Sequence, residues 1–197
     1  MLDKDSVVRF SGGCKPEEIR KMVAEILAEQ PGGEKKMYTP PLVKIGDSIP
    51  DFRIASAEGK DVSLKEICGD TGAVLFFSKK SCPFSVNALS GMAQIMGEFK
   101  DKKFNYAVIS LGEEAGDFKN LYKDKLPGSI ILVDKDKSIS AGKFGVSAVP
   151  FFYVLDKDMK VVERKPFQYA PARTAVAKTL GVTPKAPSVP AKEAGAG

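Results

Sequence analysis

Residues Ala73 to Asn87 of this 197-residue chain read AVLFFSKKSCPFSVN, and they decide the fold. The segment opens with five consecutive apolar residues, Ala73 to Phe77, which follow Gly72 and precede a polar turn. A short apolar run rich in Phe and Val, with such boundaries, predicts a strand buried in the middle of a sheet. The polar turn leads to Cys82, so we expect a thiol at the end of a core strand.

Pro83, directly after Cys82, indicates that a helix begins there. Proline suits the first turn of a helix, because the amide of that position has no partner inside the helix. We therefore expect a helix from Pro83 to about Lys100, with Cys82 at or next to its N-cap. The helix dipole and the unpaired amides of the first turn favour the thiolate there, and Lys79 and Lys80 add positive charge. Free cysteine is often a small buried hydrophobe, but this context favours a reactive thiol.

Motifs along the chain resemble the thioredoxin superfamily. Residues Val43 to Phe52, followed by Gly59 to Leu64, are similar to the opening of its redoxin branch, which includes thiol-disulfide oxidoreductases of cytochrome maturation and, more distantly, peroxiredoxins. Cys82 to Ser85 (CPFS) resembles the Cys-x-x-Cys motif with serine in place of the second cysteine. Gly145 to Asp156 (GVSAVPFFYVLD) resembles the segment that carries a cis-proline facing the active cysteine. The resemblance extends over about residues 42–181.

This resemblance implies an α/β fold, with a central mixed β-sheet and helices on both faces. It also implies a site near the active cysteine. The implied catalytic residues are Cys82, Ser85 and Pro150, and the implied substrate-binding residues are Lys80, Ser81, Pro83, Phe84 and Val149. The bond before Pro150 is expected to be cis, so that the Val149 backbone is presented to a substrate strand.

The serine at position 85 limits the chemistry that this site can perform. Serine cannot form the internal disulfide that a second cysteine would form, so Cys82 is expected to act as a monothiol. It would form mixed disulfides with protein or glutathione-type thiols, and an external thiol would release the partner. The Ser85 hydroxyl can still donate a hydrogen bond that stabilises the Cys82 thiolate.

Two other functions stay open. A peroxiredoxin has a threonine or serine three residues before its reactive cysteine and a proline still earlier, where this chain has Lys79 and Leu75. A redox-inactive module would use the cleft between Cys82 and Pro150 to hold an extended peptide, and the missing second cysteine makes this alternative credible.

The other two cysteines are not expected to complete a redox pair. Cys68 precedes the predicted strand and Cys82 follows it, so about five residues at 3.3 Å each, roughly 17 Å, separate them. A disulfide needs Cα atoms within about 7 Å, so Cys68 is expected to be a buried structural thiol. Cys14 lies in a polar turn of the N-terminal segment.

Composition excludes several classes of function. The net charge is +5, but lysines alternate with aspartates, as in residues 134–137, which indicates solvated turns and no nucleic-acid partner. The chain contains no histidine, which excludes Ser-His-Asp and Cys-His catalysis and most zinc or haem sites. Three scattered cysteines cannot form a zinc cage, so we expect neither a metal nor a cofactor. No apolar run reaches the roughly 18 residues of a membrane span.

Residues 1–30 are predicted to form a strand-helix extension. Leu2 to Arg9 and the following amphipathic helix run parallel to the pattern from Leu155 to Leu180, which is typical of the last strands and helix of a thioredoxin fold. We hypothesise that this extension is the C-terminal remnant of an upstream thioredoxin-like domain. Chance similarity between two common strand-turn-helix units is the alternative.

Breaker residues divide the rest of the chain. Residues 31–41, rich in proline and glycine, are predicted to be a linker, residues 42–182 the thioredoxin-like domain, and residues 183–197 a disordered tail. The chain as written starts without a signal peptide, so a cytoplasmic location is expected. If it is a fragment of an exported protein, an extracytoplasmic or periplasmic location is expected instead.

The hydrophobic patterns also predict the order of elements within the domain. Strands are expected at 52–55, 60–62, 105–110, 129–134, 151–155 and 161–164, and helical segments at 64–67, 114–123, 138–144 and 171–180. This alternation of strands and helices predicts a sheet with parallel pairs joined by crossover helices.

Overall fold

The structure is a computed structural model that describes residues 43–184. The predicted extension at 1–30, the linker at 31–41, Cys14 and most of the predicted tail therefore lie outside the described residues.

Eleven regular elements make up the described part of the chain. The strands are β1 (Arg53–Ser56), β2 (Asp61–Ser63), β3 (Ala73–Ser78), β4 (Asn105–Leu111), β5 (Ile130–Asp134), β6 (Phe151–Leu155) and β7 (Val161–Pro166). The helices are α1 (Leu64–Cys68), α2 (Pro83–Glu98), α3 (Ala115–Lys125) and α4 (Tyr169–Thr179). All eleven elements were predicted from the sequence, and their ends differ from the predicted ones by no more than two residues. One further predicted helix, at 138–144, is not formed.

The seven strands form one mixed sheet in the order β2-β1-β5-β4-β3-β6-β7. β3 pairs parallel with β4 and antiparallel with β6, and all six of its residues are buried. Successive side chains point to opposite faces, so Leu75 and Phe77 enter one core while Val74 and Phe76 enter the other. Both faces are covered, and this is why β3 is a continuous apolar run instead of an alternating one.

Helices cover both faces of the sheet, but unequally. The three longer helices lie on one face, where Met92 of α2, Phe118 of α3 and Val176 of α4 join its core. On the other face, the core includes Ile67 of the short helix α1 and Phe144 of the segment between β5 and β6. The predicted mixed sheet with helices on both faces is confirmed. Within residues 43–184, no helix is long and apolar enough to cross a bilayer.

The predicted helix from Ser138 to Phe144 is wrong, because this segment folds as a series of turns. The Phe144 amide donates to the carbonyl of Ile139, five residues back, at 3.1 Å, a spacing that an α-helix does not have. The segment contains Gly142, a poor helix former. The Phe144 ring packs on Tyr153, with centroids 4.9 Å apart, so burial of this ring sets the path of the chain.

Candidate active site

Cys82 lies where the central strand leads into helix α2. β3 ends at Ser78, a three-residue turn follows, and Cys82 is the N-cap with extended backbone, with Pro83 as the first helical residue. The Cys82 amide donates to the Lys79 carbonyl at 3.0 Å, which closes the turn. The residue is half-buried, so its sulfur lies at the surface end of a buried strand.

The pKa of the Cys82 thiol lies below its ordinary value. Burial alone raises this pKa, but the ionised sulfur can accept hydrogen bonds from the amide and hydroxyl of Ser85 and from the amide of Phe84, and these outweigh burial. The positive charge of Lys79 lowers the pKa further. The amides belong to the first turn of α2, where they have no partner within the helix. The site therefore favours the thiolate, which is the nucleophilic form of cysteine.

Ser85, which stands where the related motif has its second cysteine, is fully buried. As a thiol, Cys82 donates to the carbonyl oxygen of Val149, with Sγ and O 3.7 Å apart. In that state the Ser85 hydroxyl has no hydrogen-bond partner among the described residues. Ionisation makes the sulfur an acceptor, which gives the buried hydroxyl a partner and stabilises the thiolate.

Val149 and Pro150, predicted to face the cysteine, are brought to it by the sheet. The bond between them is cis, the conformation expected from the sequence. β6 begins directly after Pro150 and pairs with β3, so the start of β6 lies beside the end of β3. The contact between the Cys82 sulfur and the Val149 carbonyl therefore joins two segments that are 67 residues apart in the chain.

The remaining predicted site residues surround the sulfur at the surface. Lys80, Ser81 and Pro83 are exposed in the turn and the first position of α2. Phe84 is 75% exposed, which is unusual for a large aromatic side chain. These residues are therefore accessible to a partner molecule.

A groove of about 650 Å³ is lined by Val149, whose carbonyl contacts the Cys82 sulfur. Phe84 borders it on the side of α2, and Val149, Pro150 and Phe151 border it on the side of β6. Arg164 of β7 and Phe167 also line it. Its walls are mostly apolar, which is the usual character of a surface that binds a ligand or peptide.

Glu113, which no sequence pattern singled out, holds the turn before Cys82. Its carboxylate accepts hydrogen bonds from the amides of Lys80 at 3.0 Å and Ser81 at 3.2 Å, and from the hydroxyl of Ser110 at 2.5 Å. Glu113 follows β4, the parallel neighbour of β3, and the carboxyl ends of parallel strands meet at one edge of a sheet. This edge rule is the signal that could have found it, because it places the residue after β4 beside the turn after β3.

A buried tyrosine lies beneath the same turn. The Tyr122 hydroxyl of α3 donates to the Ser78 hydroxyl, at the end of β3, at 2.9 Å. Burial raises the pKa of Tyr122 to about 12, and the negative charge of Glu113 acts in the same direction. Tyr122 is thus a neutral donor at neutral pH, and it ties helix α3 to the end of the central strand.

Cys68 is buried at the end of α1, as predicted. Burial raises the pKa of its thiol to about 12, and the nearby charges of Asp156 and Asp51 add to this effect. The six residues of β3 span roughly 20 Å and lie between Cys68 and the turn that carries Cys82. Cys68 is therefore a protonated core residue, remote from the reactive thiol. Within the described range 43–184, no cluster of three or more acidic or cysteine side chains is placed to hold a metal ion.

The fold and the site define a thioredoxin-like protein: the sheet is mixed, a thiol lies at the start of the helix after the central strand, and a cis-proline follows the residue that contacts it. The chain belongs to the AhpC/TSA family, which residues 45–164 match. The family match assigns it to the redoxin branch.

Several named proteins are similar to this chain. The thiol-disulfide oxidoreductase ResA of Bacillus thuringiensis (strain Al Hakam) is 31% identical over 127 residues, covering 62% of this chain and 69% of that protein. A putative thiol:disulfide interchange protein DsbE from Chlorobium tepidum matches the structure with a TM-score of 0.62 and 21% identity, over 71% of this chain and 99% of that one. The peroxidoxin BcpB from Mycobacterium tuberculosis matches with a TM-score of 0.60 and 21% identity, over 72% and 99%. These structural matches confirm the predicted thioredoxin-like fold.

Proposed function

We propose that this protein is a thiol-disulfide oxidoreductase that acts through Cys82 as a monothiol. One observation carries the proposal: a half-buried thiol with a lowered pKa lies at a helix N-terminus and faces the Val149 carbonyl. The similarity to ResA, whose name describes this activity, supports the same class of reaction.

The proposed reaction begins with attack of the Cys82 thiolate on one sulfur of a partner disulfide. A bond forms between Cys82 and that sulfur, the partner's S–S bond breaks, and the second partner sulfur leaves as a thiolate. The lowered pKa of Cys82 increases the fraction of the attacking form at neutral pH. The Val149 carbonyl borders the position of the incoming sulfur.

Release of the partner needs a thiol from outside the site. The neighbouring motif position is Ser85, which cannot attack the mixed disulfide, and Cys68 is buried with a pKa raised to about 12. An external protein or glutathione-type thiolate therefore attacks the mixed disulfide, forms a disulfide with the partner and returns Cys82 as a thiolate. A second external thiolate then attacks the external sulfur of that new disulfide, which releases the second partner thiolate and forms a disulfide between the two external thiols. The two external thiols thus supply the two electrons that reduce the original disulfide.

A redox-inactive module that binds peptides is the second candidate. The exposed Phe84 and the adjoining apolar groove favour it, because both offer contact area to an extended segment. In that function Cys82 would remain a thiol throughout the binding cycle.

Intact-mass measurement of the full chain with oxidised glutathione separates these functions. We expect a glutathione adduct on Cys82 that reduced glutathione removes, and no adduct at this position in Cys82→Ser. Absence of any adduct with glutathione or a peptide disulfide, together with peptide binding, would overturn the exchange function in favour of the binding module. Trapping of a sulfenic acid after peroxide treatment, without disulfide exchange, would instead identify a peroxidase.

A further inference from the structure

Arg164 is the only charged side chain among the described residues that line the groove beside Cys82. It lies in β7 directly opposite Tyr153 of β6. Its guanidinium lies over the rings of Phe151 and Tyr153, 5.5 and 5.4 Å from their centroids, and its Nε donates to the Tyr153 hydroxyl at 2.9 Å. These contacts fix the direction of a long side chain that is otherwise flexible.

The positive charge of Arg164 is not neutralised by a carboxylate within residues 43–184. Its strand neighbours Glu163 and Lys165 form an ion pair with each other at 3.0 Å, and successive residues of a strand point to opposite faces. No ion pair of Arg164 occurs in the described range. The aromatic rings offset part of the cost of burying the cation, but they leave its outward N–H groups available to an anion.

Arg164 lies near the reactive sulfur because β6 starts directly after Pro150. The Cys82 sulfur is 3.7 Å from the Val149 carbonyl, and the Arg164 guanidinium lies over the ring of Phe151, the second residue after Val149. Two residues of chain span at most about 7 Å. An extended segment whose cysteine meets Cys82 therefore has its second or third residue beside Arg164.

We propose that this groove selects partner proteins in which an apolar segment carries a carboxylate two or three residues from the reacting cysteine. The inference rests on the proposed exchange function and deepens it by naming the substrate class. Phe84 and Phe167 provide apolar walls for the segment, and Arg164 pairs with its carboxylate. Glutathione is a poorer match, because it offers no apolar side chain to these walls.

Peptides with matched charges test this selection on the full chain. Each peptide contains one phenylalanine and one cysteine linked to 5-thio-2-nitrobenzoate, with Glu, Gln or Lys two or three residues before or after the cysteine. Attack by the Cys82 thiolate forms the peptide–Cys82 disulfide and releases thionitrobenzoate, and the part of this release that Cys82→Ser lacks gives the rate constant of Cys82. We expect the Glu peptide to react about fivefold faster than the Gln peptide on at least one side, and the Lys peptide to react more slowly than both.

Variants on the two faces of β7 show whether Arg164 causes the faster reaction of the Glu peptide. In Arg164→Gln the ratio of Glu to Gln rates is expected to fall to about one. Lys165→Gln, on the opposite face, keeps the ratio of the unmodified chain. High salt should reduce the ratio in the unmodified chain, a measurement that does not depend on the folding of any variant.

The failures of the two proposals are distinguishable. If Cys82 reacts with no peptide, the exchange function is wrong. If it reacts with all peptides at equal rates, or if Arg164→Gln keeps the full preference, exchange stands and the selection by Arg164 is overturned.

Discussion

Replacement of Glu113 by alanine tests how the turn before Cys82 is held. The carboxylate accepts hydrogen bonds from the Lys80 and Ser81 amides and from the Ser110 hydroxyl. A hydrogen bond to a charged group contributes roughly 1.5–3 kcal/mol. The two amides belong to exposed residues, where water replaces the lost acceptor, whereas Ser110 is fully buried. We therefore expect a loss equal to one such bond, about 2 kcal/mol in the free energy of unfolding.

Chemical denaturation measures the stability of the Glu113→Ala variant, and amide hydrogen exchange measures how firmly its turn is held. The free energy of unfolding should fall by about 2 kcal/mol, and the protection of the Lys80 and Ser81 amides should fall because both amides lose their acceptor. Glu114→Ala is the matched control, because the neighbouring Glu114 is exposed and forms a surface ion pair with Lys135. We expect this control to change stability by less than about 0.5 kcal/mol.

Glu113 does not hold the turn if two results are found together. In Glu113→Ala, the Lys80 and Ser81 amides would remain as protected as in the unmodified chain, and the free energy of unfolding would equal that of the Glu114→Ala control. Glu113→Gln keeps one acceptor oxygen but loses the charge, so its losses should lie between those of the unmodified chain and the alanine variant.

Three further predictions concern the thiols and the core. Ser85→Ala removes a hydrogen bond that lowers the pKa of Cys82. The rate of Cys82 alkylation, measured against pH, should therefore reach its midpoint at a higher pH. An unchanged midpoint would contradict this role of the Ser85 hydroxyl. Cys68, with a pKa raised to about 12 by burial, should resist alkylation at pH 8 until the protein unfolds, as followed by mass spectrometry. Gly72→Ala should lower the free energy of unfolding by about 3 kcal/mol, because φ is 109° and a Cβ would lie 2.3 Å from a carbonyl oxygen of β6. Gly128→Ala, at φ 85° in open space, should cost only about 1 kcal/mol in the same denaturation experiment, and equal losses would contradict the steric argument.

The reactive thiol could be placed from the sequence because its signals are local. The apolar run of β3, the polar turn and the proline after Cys82 lie within a few residues of each other, and each restricts the backbone by itself. The position of Pro150 opposite the thiol came from the family resemblance and not from any local pattern.

The segment from Ser138 to Phe144 shows where local patterns were insufficient. Its residues were predicted to form a helix, but the segment contains Gly142, the hydroxyl of Tyr153 donates to the Phe144 carbonyl at 2.5 Å, and the two rings pack together. Tertiary packing thus overrides a weak local preference, as is common for short segments. Glu113 was missed for a related reason: its partners Lys80 and Ser81 lie more than 30 residues away in the chain.

The sequence by itself determined that a core strand leads through a short turn to a thiol at the N-cap position of a helix, because strand burial and helix starts depend on neighbouring residues. Only the tertiary structure decided what surrounds that thiol. The Val149 carbonyl, the Glu113 carboxylate and the cation of Arg164 reach the site through the pairing of β3 with β4 and β6, and of β6 with β7. Such contacts depend on the register and packing of strands that are distant in the chain, and no local pattern of residues encodes them.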